Sequence, residues 1–166
     1  MKLLEFQHII QINDPDQPHI PPLSRQQLWD GLLFRARYPG HFNPAINSRL
    51  ENISSAGFVR YLQFGEMELR DEVLLVPGQE IHTSTAGTDQ PLFAESITRI
   101  EEPAPERLFV RFMYRRDSGN ESGGLNVDDY LKAAYVQNDR DAVRLLRELT
   151  ASGALTGLAD TGLWLQ

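Results

Sequence analysis

The sequence predicts an α+β fold in which a curved antiparallel sheet of about seven strands wraps around a long C-terminal helix. Apolar residues alternate with polar ones over 4–12, and a central region of period two is broken by turn residues. Helical periodicity then holds from 127 to about 152. Because the central strands are too closely spaced for parallel crossovers, we expect an antiparallel meander within one domain, residues 1–166.

Composition and charge narrow the class of protein. The net charge of −7 and a pI near 5.1 disfavour binding to nucleic acid or to an anionic membrane surface. Without cysteine the chain has no disulfide, no thiolate nucleophile and no Cys-ligated zinc. No apolar run is long enough to span a bilayer, and the N-terminus reaches Glu5 without a signal-peptide core. We therefore expect a cytoplasmic protein.

The N-terminal part predicts one strand and one or two short helices. The strand covers Glu5 to Ile12, and a proline-rich loop follows it. Ser24 and Gln27 have the spacing of a capping box, which predicts a helix from Arg25 to Tyr38. A further helical turn is possible over 41–45.

The central region predicts about six strands from Ser48 onward, the last of them covering Arg107 to Arg115. Turn residues separate them at Gly57, Gly65, Pro77-Gly78, Ala86-Gly87 and Pro103-Ala104-Pro105.

The hairpin formed by 58–64 and 67–76 carries two opposite charges on its apolar face. If Phe64 faces Met67 across a two-residue turn, then Arg60 opposes Asp71 on the face that also carries aliphatic and aromatic residues. A buried ion pair loses hydration that Coulomb attraction only partly replaces. The pair is therefore either a device that sets the hairpin register or a polar group in a cavity.

The long C-terminal helix is predicted from a cap at Asn126 to about Ser152, with Gly153 as the C′ residue. Its apolar stripe holds helical period over several turns, and Asn138 is assigned to the same stripe. Leu163 and Trp164 in the tail are expected to dock on the domain. A bent sheet that does not close on this helix would leave a pocket lined by both.

Three segments of the chain resemble a known family. They are 6–14 (FQHIIQIND), 23–32 (LSRQQLWDGL) and 69–73 (LRDEV), and they are similar to a family of uncharacterised bacterial and fungal proteins described as AtaL-like. Over its whole length the chain resembles the START-like, or birch-pollen-allergen-like, helix-grip superfamily, which includes polyketide cyclases and lipid-transfer domains. The resemblance implies a hydrophobic cavity beneath the long helix. It does not imply an activity.

Arg60, Asp71 and His8 are the candidate catalytic residues, with acid/base chemistry as their role. The alternatives are a self-satisfied ion pair for the first two and an ordinary core histidine for the third. Ligand binding is predicted for residues expected to face the cavity. These are Arg60, Asp71, His8, Phe58, Leu62, Leu69, Val73, Phe112, Tyr114 and Tyr135.

Metal and cofactor motifs are not found. His19, His41 and His82 lie on separate segments without ligand spacing, and the 118–124 loop lacks a phosphate-binding ending. We therefore predict no metal and no cofactor.

Three functional hypotheses follow. The first is binding of a small hydrophobic or aromatic ligand, lipid-like or polyketide-like, in the internal cavity. The second is a cyclase or dehydratase that uses the Arg60 and Asp71 cluster. The third is a protein-interaction module whose pocket is filled by side chains. The sequence leaves the oligomeric state undetermined.

Overall fold

The computed structural model describes residues 3–85, 93–118 and 126–155. In this part of the chain there are seven strands, two α-helices and one short 3-10 helix. In chain order they are β1 (Leu3–Gln11), α1 (Arg25–Arg37), the 3-10 helix (Pro39–His41), β2 (Ile46–Ser54), β3 (Gly57–Phe64), β4 (Met67–Val76), β5 (Glu80–Thr85), β6 (Ala94–Ala104), β7 (Arg107–Asp117) and α2 (Val127–Ser152).

The strands form one curved antiparallel sheet in the order β1-β7-β6-β5-β4-β3-β2. Strands β2 to β7 are joined as successive hairpins, so the predicted meander is confirmed. The first strand then pairs with the last, and His8 lies opposite Phe112. This pairing brings the N-terminal strand beside the segment that leads into α2.

The helix α1 begins where the sequence predicts. The Ser24 hydroxyl accepts from the Gln27 backbone N–H, and the Gln27 side chain accepts from the Ser24 N–H, which is the predicted capping box. The helix ends at Arg37, one residue earlier than expected, because Tyr38 leaves helical geometry at φ −130°. The short helical turn begins at Pro39 rather than near residue 41, since proline suits the first position of a helix.

The proline-rich loop is fixed to the domain by Asn13, whose side chain bonds both backbone groups of Leu23. The amide nitrogen donates to the Leu23 carbonyl at 2.6 Å, and the amide oxygen accepts from the Leu23 N–H at 2.9 Å. Arg147 of α2 donates to the Pro21 carbonyl at 2.8 Å. The loop is thus held at the point where α1 enters the fold.

The two helices contact each other at Gly31. A β-carbon built there would lie 2.2 Å from Cγ of Leu146, which is only 2% exposed, so the α1 backbone approaches α2 closely.

The predicted ends of α2 are confirmed, with Asn126 as the N-cap and Gly153 at φ 77°. The assignment of Asn138 to the apolar stripe is wrong. Asn138 is exposed, and Asp139 is the polar residue on the buried side.

The hydrophobic core lies between α1 and α2 and the inner face of the sheet, which we define as the face carrying Phe58, Val73, Ile100, Val110 and Phe112. No helix among the described residues is both long and apolar enough to cross a bilayer. The expected turn at Ala86-Gly87 and the expected docking of Leu163 and Trp164 lie outside the described residues.

Candidate functional site

A chamber of about 200 Å³ lies between α1 and the inner face of the sheet. From α1 it is lined by Leu32, Arg35 and Ala36, and Pro39 of the 3-10 helix continues this wall. Ile81 of β5 adds an apolar surface on the opposite side. The chamber therefore has one largely apolar wall, in which the Arg35 guanidinium is the charged group.

The sheet lines the other side of the chamber with hydroxyl groups from Thr83, Ser96 and Thr98. Ser96 is paired with Thr83 on one side and with Tyr114 on the other, and Thr98 is paired with Phe112. Residues directly opposite one another on neighbouring strands share a face, so this row lies on the inner face with Tyr114. Thr83, Ser96 and Thr98 make no side-chain hydrogen bond to other residues in the described part of the protein.

The sequence predicts the cavity between the sheet and the C-terminal helix, whereas this chamber lies beside α1. Of the described residues that line it, none belongs to α2. α2 packs closely against α1 where Gly31 meets Leu146. α2 reaches the chamber wall indirectly, through Asp139 and Tyr135, which contact Tyr114.

Arg60 and Asp71 face each other in the register that the sequence predicts. Arg60 donates to Asp71 Oδ2 through Nη2 at 2.8 Å and through Nε at 3.3 Å. Its Nη1 donates to the Ala36 carbonyl of α1 at 2.7 Å. The Thr85 hydroxyl donates to the other Asp71 oxygen at 2.9 Å. Both carboxylate oxygens and all three guanidinium nitrogens therefore have protein partners, and Arg60 also lines the chamber.

A second polar cluster is centred on Asp139, whose side chain is fully buried. Arg35 Nη1 donates to its Oδ1 at 2.8 Å. The Tyr114 hydroxyl donates to Oδ2 at 2.5 Å, and His8 Nε2 lies 2.7 Å from the same oxygen. One carboxylate thus joins α2 to α1, β7 and β1, with three groups compensating for the loss of its hydration.

Tyr114 and Arg35 are the members of this cluster that also line the chamber. Burial raises the pKa of the Tyr114 phenol well above its ordinary value, and the negative charge of Asp139 raises it further. The phenol therefore stays protonated and acts as a donor. Its ring stacks on Tyr135 of α2 with centroids 4.0 Å apart, and Phe112 stacks on His8 at 5.1 Å, which fixes the orientation of both polar groups.

A larger groove of about 430 Å³ opens on the other side of Arg35. Pro44 and Ile46 line one side of it, and Ala142 and Leu145 of α2 line the other. Arg35 belongs to the walls of both the chamber and the groove. Arg35 thus lies between two spaces that are both partly open to solvent.

The structure divides the predicted ligand-binding residues into three groups. Arg60 and Tyr114 line the chamber. Asp71, His8 and Tyr135 stand directly behind these lining residues. The remaining predicted residues are buried in the packed interior without lining the chamber; they are Phe58, Leu62, Leu69, Val73 and Phe112. The assignment of these residues to ligand binding stays a prediction.

The sequence reasoning did not find Arg35 or Asp139. A signal exists for each of them. Arg35 follows Leu28 and Leu32 on one row of α1, and Asp139 stands four residues after Tyr135 on α2. A charged residue in an apolar helical row indicates a buried pair, but its partner lies about a hundred residues away and cannot be identified from periodicity.

A metal centre is not formed by the side chains that the structure describes. In that part of the chain no group of three or more His, Asp or Glu side chains could hold a metal ion.

Comparison with solved structures identifies the fold. The di-domain ARO/CYC StfQ from the steffimycin biosynthetic pathway aligns with a TM-score of 0.66 at 12% identity, over 92% of this chain and 52% of that chain. The Zhui aromatase/cyclase from Streptomyces sp. R1128 aligns at 0.62 and 13% identity, over 90% and 96%. Human STARD10 aligns at 0.61 and 9% identity, over 90% and 66%. The chain spans about half of the StfQ chain, and such identities establish the fold alone.

The protein therefore has the helix-grip fold of the START-like and birch-pollen-allergen-like superfamily. Within it, the chain belongs to the family described as AtaL, Acetylaranotin biosynthesis cluster protein L, whose sequence profile matches residues 10–153. No curated protein sequence matches the chain significantly.

Proposed function

We propose that this protein binds a small hydrophobic or aromatic molecule in the chamber between α1 and the sheet. The chamber itself, about 200 Å³ of unfilled space beside a packed core, is the observation that carries the proposal. The chamber is concave and partly open to solvent, as small-molecule sites commonly are, so a ligand can enter it and bury apolar surface there.

The polarity of the chamber wall supports the same function. Four hydroxyl-bearing side chains and two arginines stand beside the apolar side chains of Leu32 and Ile81. A few fixed polar groups among apolar ones are typical of small-molecule sites, where they orient the ligand. The fold is shared with aromatase/cyclases, which supports a small-molecule site in this domain.

Access to the chamber is proposed through the outer groove. Arg35 and Pro39 line both spaces, so a ligand passes between them when the Arg35 side chain moves. The Arg35 side chain is 28% exposed, and its hydrogen bond to Asp139 has to be kept or exchanged during entry.

The test uses a variant that fills the chamber. In Ala36→Leu a branched aliphatic group replaces a methyl group on the chamber wall, and in Ala133→Leu the same change is made on the exposed side of α2. Native mass spectrometry of freshly purified protein should detect a retained small molecule in the wild type and in Ala133→Leu, but not in Ala36→Leu. Thermal melts show whether both variants are folded. Equal ligand occupancy in folded Ala36→Leu would refute binding in the chamber.

A second candidate function is acid/base catalysis of a cyclisation or dehydration. It is favoured by the Tyr114 hydroxyl, which lines the chamber and is bonded to Asp139 beside His8. Asp71, by contrast, has both oxygens bonded to Arg60 and Thr85, which leaves it less able to act as a base.

One experiment distinguishes an enzyme from a protein that only binds the ligand. A bound molecule identified by mass spectrometry is incubated with wild type, Tyr114→Phe, Arg60→Met and Asp71→Asn, and the products are analysed by chromatography. If the wild type turns the molecule over, and Tyr114→Phe abolishes this turnover without weakening binding, the result supports the enzyme hypothesis. Affinity loss in the variants with no turnover in any of them supports a binder. A filled pocket, the third hypothesis, requires that the chamber exclude all ligands, and its open volume argues against this.

A further inference from the structure

Two guanidinium groups line the chamber, and they differ in how many of their nitrogens are already hydrogen-bonded to the protein. Arg60 donates through Nε, Nη1 and Nη2 to Asp71 and to the Ala36 carbonyl, so each of its nitrogens is already bonded. Arg35 donates through Nη1 alone, to Asp139. Within the described residues its Nε and Nη2 have no protein partner.

The free edge of Arg35 has a particular geometry. Nε and Nη2 carry two parallel N–H groups, which is the side of a guanidinium that binds both oxygens of one carboxylate. Asp139 occupies the other side and fixes the plane of the group at 2.8 Å. Asp139 therefore holds the Arg35 guanidinium in place, while its Nε and Nη2 donors remain available to bind another anion.

The chamber offers few acceptors to a ligand. Both carboxylates near it, Asp71 and Asp139, are turned toward protein donors. The wall carries Arg35, whose Nε and Nη2 have no protein partner in the described part of the chain, and the hydroxyl-bearing side chains of Thr83, Ser96 and Thr98. Such a wall suits a molecule that carries negative charge at one end and hydroxyl or carbonyl oxygens elsewhere.

Size limits the class further. The chamber volume of about 200 Å³ is below the range of roughly 300–1,000 Å³ that is usual for drug-sized ligands. A fused polycyclic skeleton or a long acyl chain needs more enclosed space. A single substituted ring fits, with its faces against the apolar side chains of Leu32, Ala36 and Ile81.

We propose that the ligand is a single-ring aromatic carboxylate with oxygen substituents, whose carboxylate is bound by the Nε and Nη2 edge of Arg35. Its ring oxygens bond to the hydroxyls of Thr83, Ser96 and Thr98. This inference rests on the proposed binding function and deepens it. It makes Arg35, not Arg60, the anion receptor, and it predicts that lipids and polycyclic compounds bind more weakly than a one-ring acid.

The test measures binding of four probes by isothermal titration calorimetry. Gentisate is a hydroxylated one-ring carboxylate, methyl gentisate is its uncharged ester, laurate is a long-chain acid, and anthracene carboxylate is a fused-ring acid. Gentisate should bind best. The ester, which cannot form the charged two-point contact, should bind at least about ten-fold more weakly.

Variants of the protein test which side chains contact the carboxylate and which contact the ring oxygens of the ligand. Arg35→Gln should weaken gentisate at least about ten-fold and leave the ester unchanged, because the lost contact involves the carboxylate. Arg49→Gln, at a side chain 60% exposed, is the charge-matched control and should bind as wild type. Since Arg35→Gln also loses its bond to Asp139, Ser96→Ala tests the hydroxyl row without a charge change, and it should weaken both gentisate and the ester.

The outcomes separate the two proposals. Equal affinity for gentisate and its ester, or tighter binding of laurate or of anthracene carboxylate, overturns the ligand class while binding in the chamber stands. If Ala36→Leu removes a retained molecule that is not a one-ring acid, the class is again wrong and the chamber is right. If no probe binds and no retained molecule responds to Ala36→Leu, both proposals fail.

Discussion

The carboxylate of Asp139 and the guanidinium of Arg35 are joined at 2.8 Å, which ties α2 to α1 beside the chamber. The two residues are separated by 104 positions in the sequence. Tyr114 and His8 complete the shell around the same carboxylate. The wall of the chamber and the packing of the two helices thus depend on one buried charge.

Removing this charge should destabilise the fold strongly. Asp139→Ala leaves Arg35, Tyr114 and His8 without their common acceptor, and the loss of one partner from a buried ion pair costs about 3 kcal/mol or more. Urea denaturation gives the free energy of unfolding. Asp141→Ala, at an exposed position on the same helix, should change it little. Similar losses for both variants would contradict the structural role of Asp139.

The Arg60 and Asp71 pair should behave as a coupled unit. Asp71→Ala leaves the Arg60 guanidinium, only 12% exposed, without its carboxylate, and this should cost about 3 kcal/mol or more in the free energy of unfolding. The double variant Arg60→Met/Asp71→Ala should cost much less, because no charge is left buried. Denaturant melts of the wild type, Asp71→Ala, Arg60→Met and the double variant form the cycle, with Glu72→Ala on the outer face as control. Additive losses would show that the pair is not coupled.

Alkaline pH should destabilise the wild type partly through Tyr114. Its pKa is raised in the folded protein, so the unfolded chain releases this proton first, near pH 10. The stabilising contribution is therefore complete below about pH 10 and is lost as the pH rises through the folded pKa. Tyr114→Phe should lose less stability than the wild type between about pH 8 and pH 11. Tyr130→Phe, at a side chain 74% exposed, should follow the wild type, and parallel curves for all three would refute the assignment.

The close contact of α1 with α2 should make Gly31→Ala destabilising. Alanine is the better helix former by about 1 kcal/mol, so propensity alone predicts a gain in stability. The added β-carbon, however, would lie 2.2 Å from Leu146 Cγ, and overpacking of this kind typically costs about 1–3 kcal/mol. Thermal melts should show a lower midpoint for Gly31→Ala. The cost of Gly31→Ala should be smaller when Leu146→Ala is already present, and an unchanged cost would rule out this clash.

Prediction from the sequence was most successful where neighbours along the chain decide the result. The capping box at Ser24, the end of α2 at Gly153 and the facing of Arg60 and Asp71 all depend on local spacing. It was less successful along α2, where Asn138 was assigned to the buried stripe in place of Asp139. A helical stripe is wide, and its exact rotation is set by packing against other elements.

The sequence by itself determined the α+β class, the antiparallel meander, the long C-terminal helix and the presence of one ion pair on the inner face of a hairpin. Periodicity and turn chemistry specify these features because they act over a few residues. Only the tertiary structure decided that the chamber lies beside α1, and that Asp139 gathers Arg35, Tyr114 and His8. These contacts join distant segments, and they form where side-chain volume and buried charge are satisfied together.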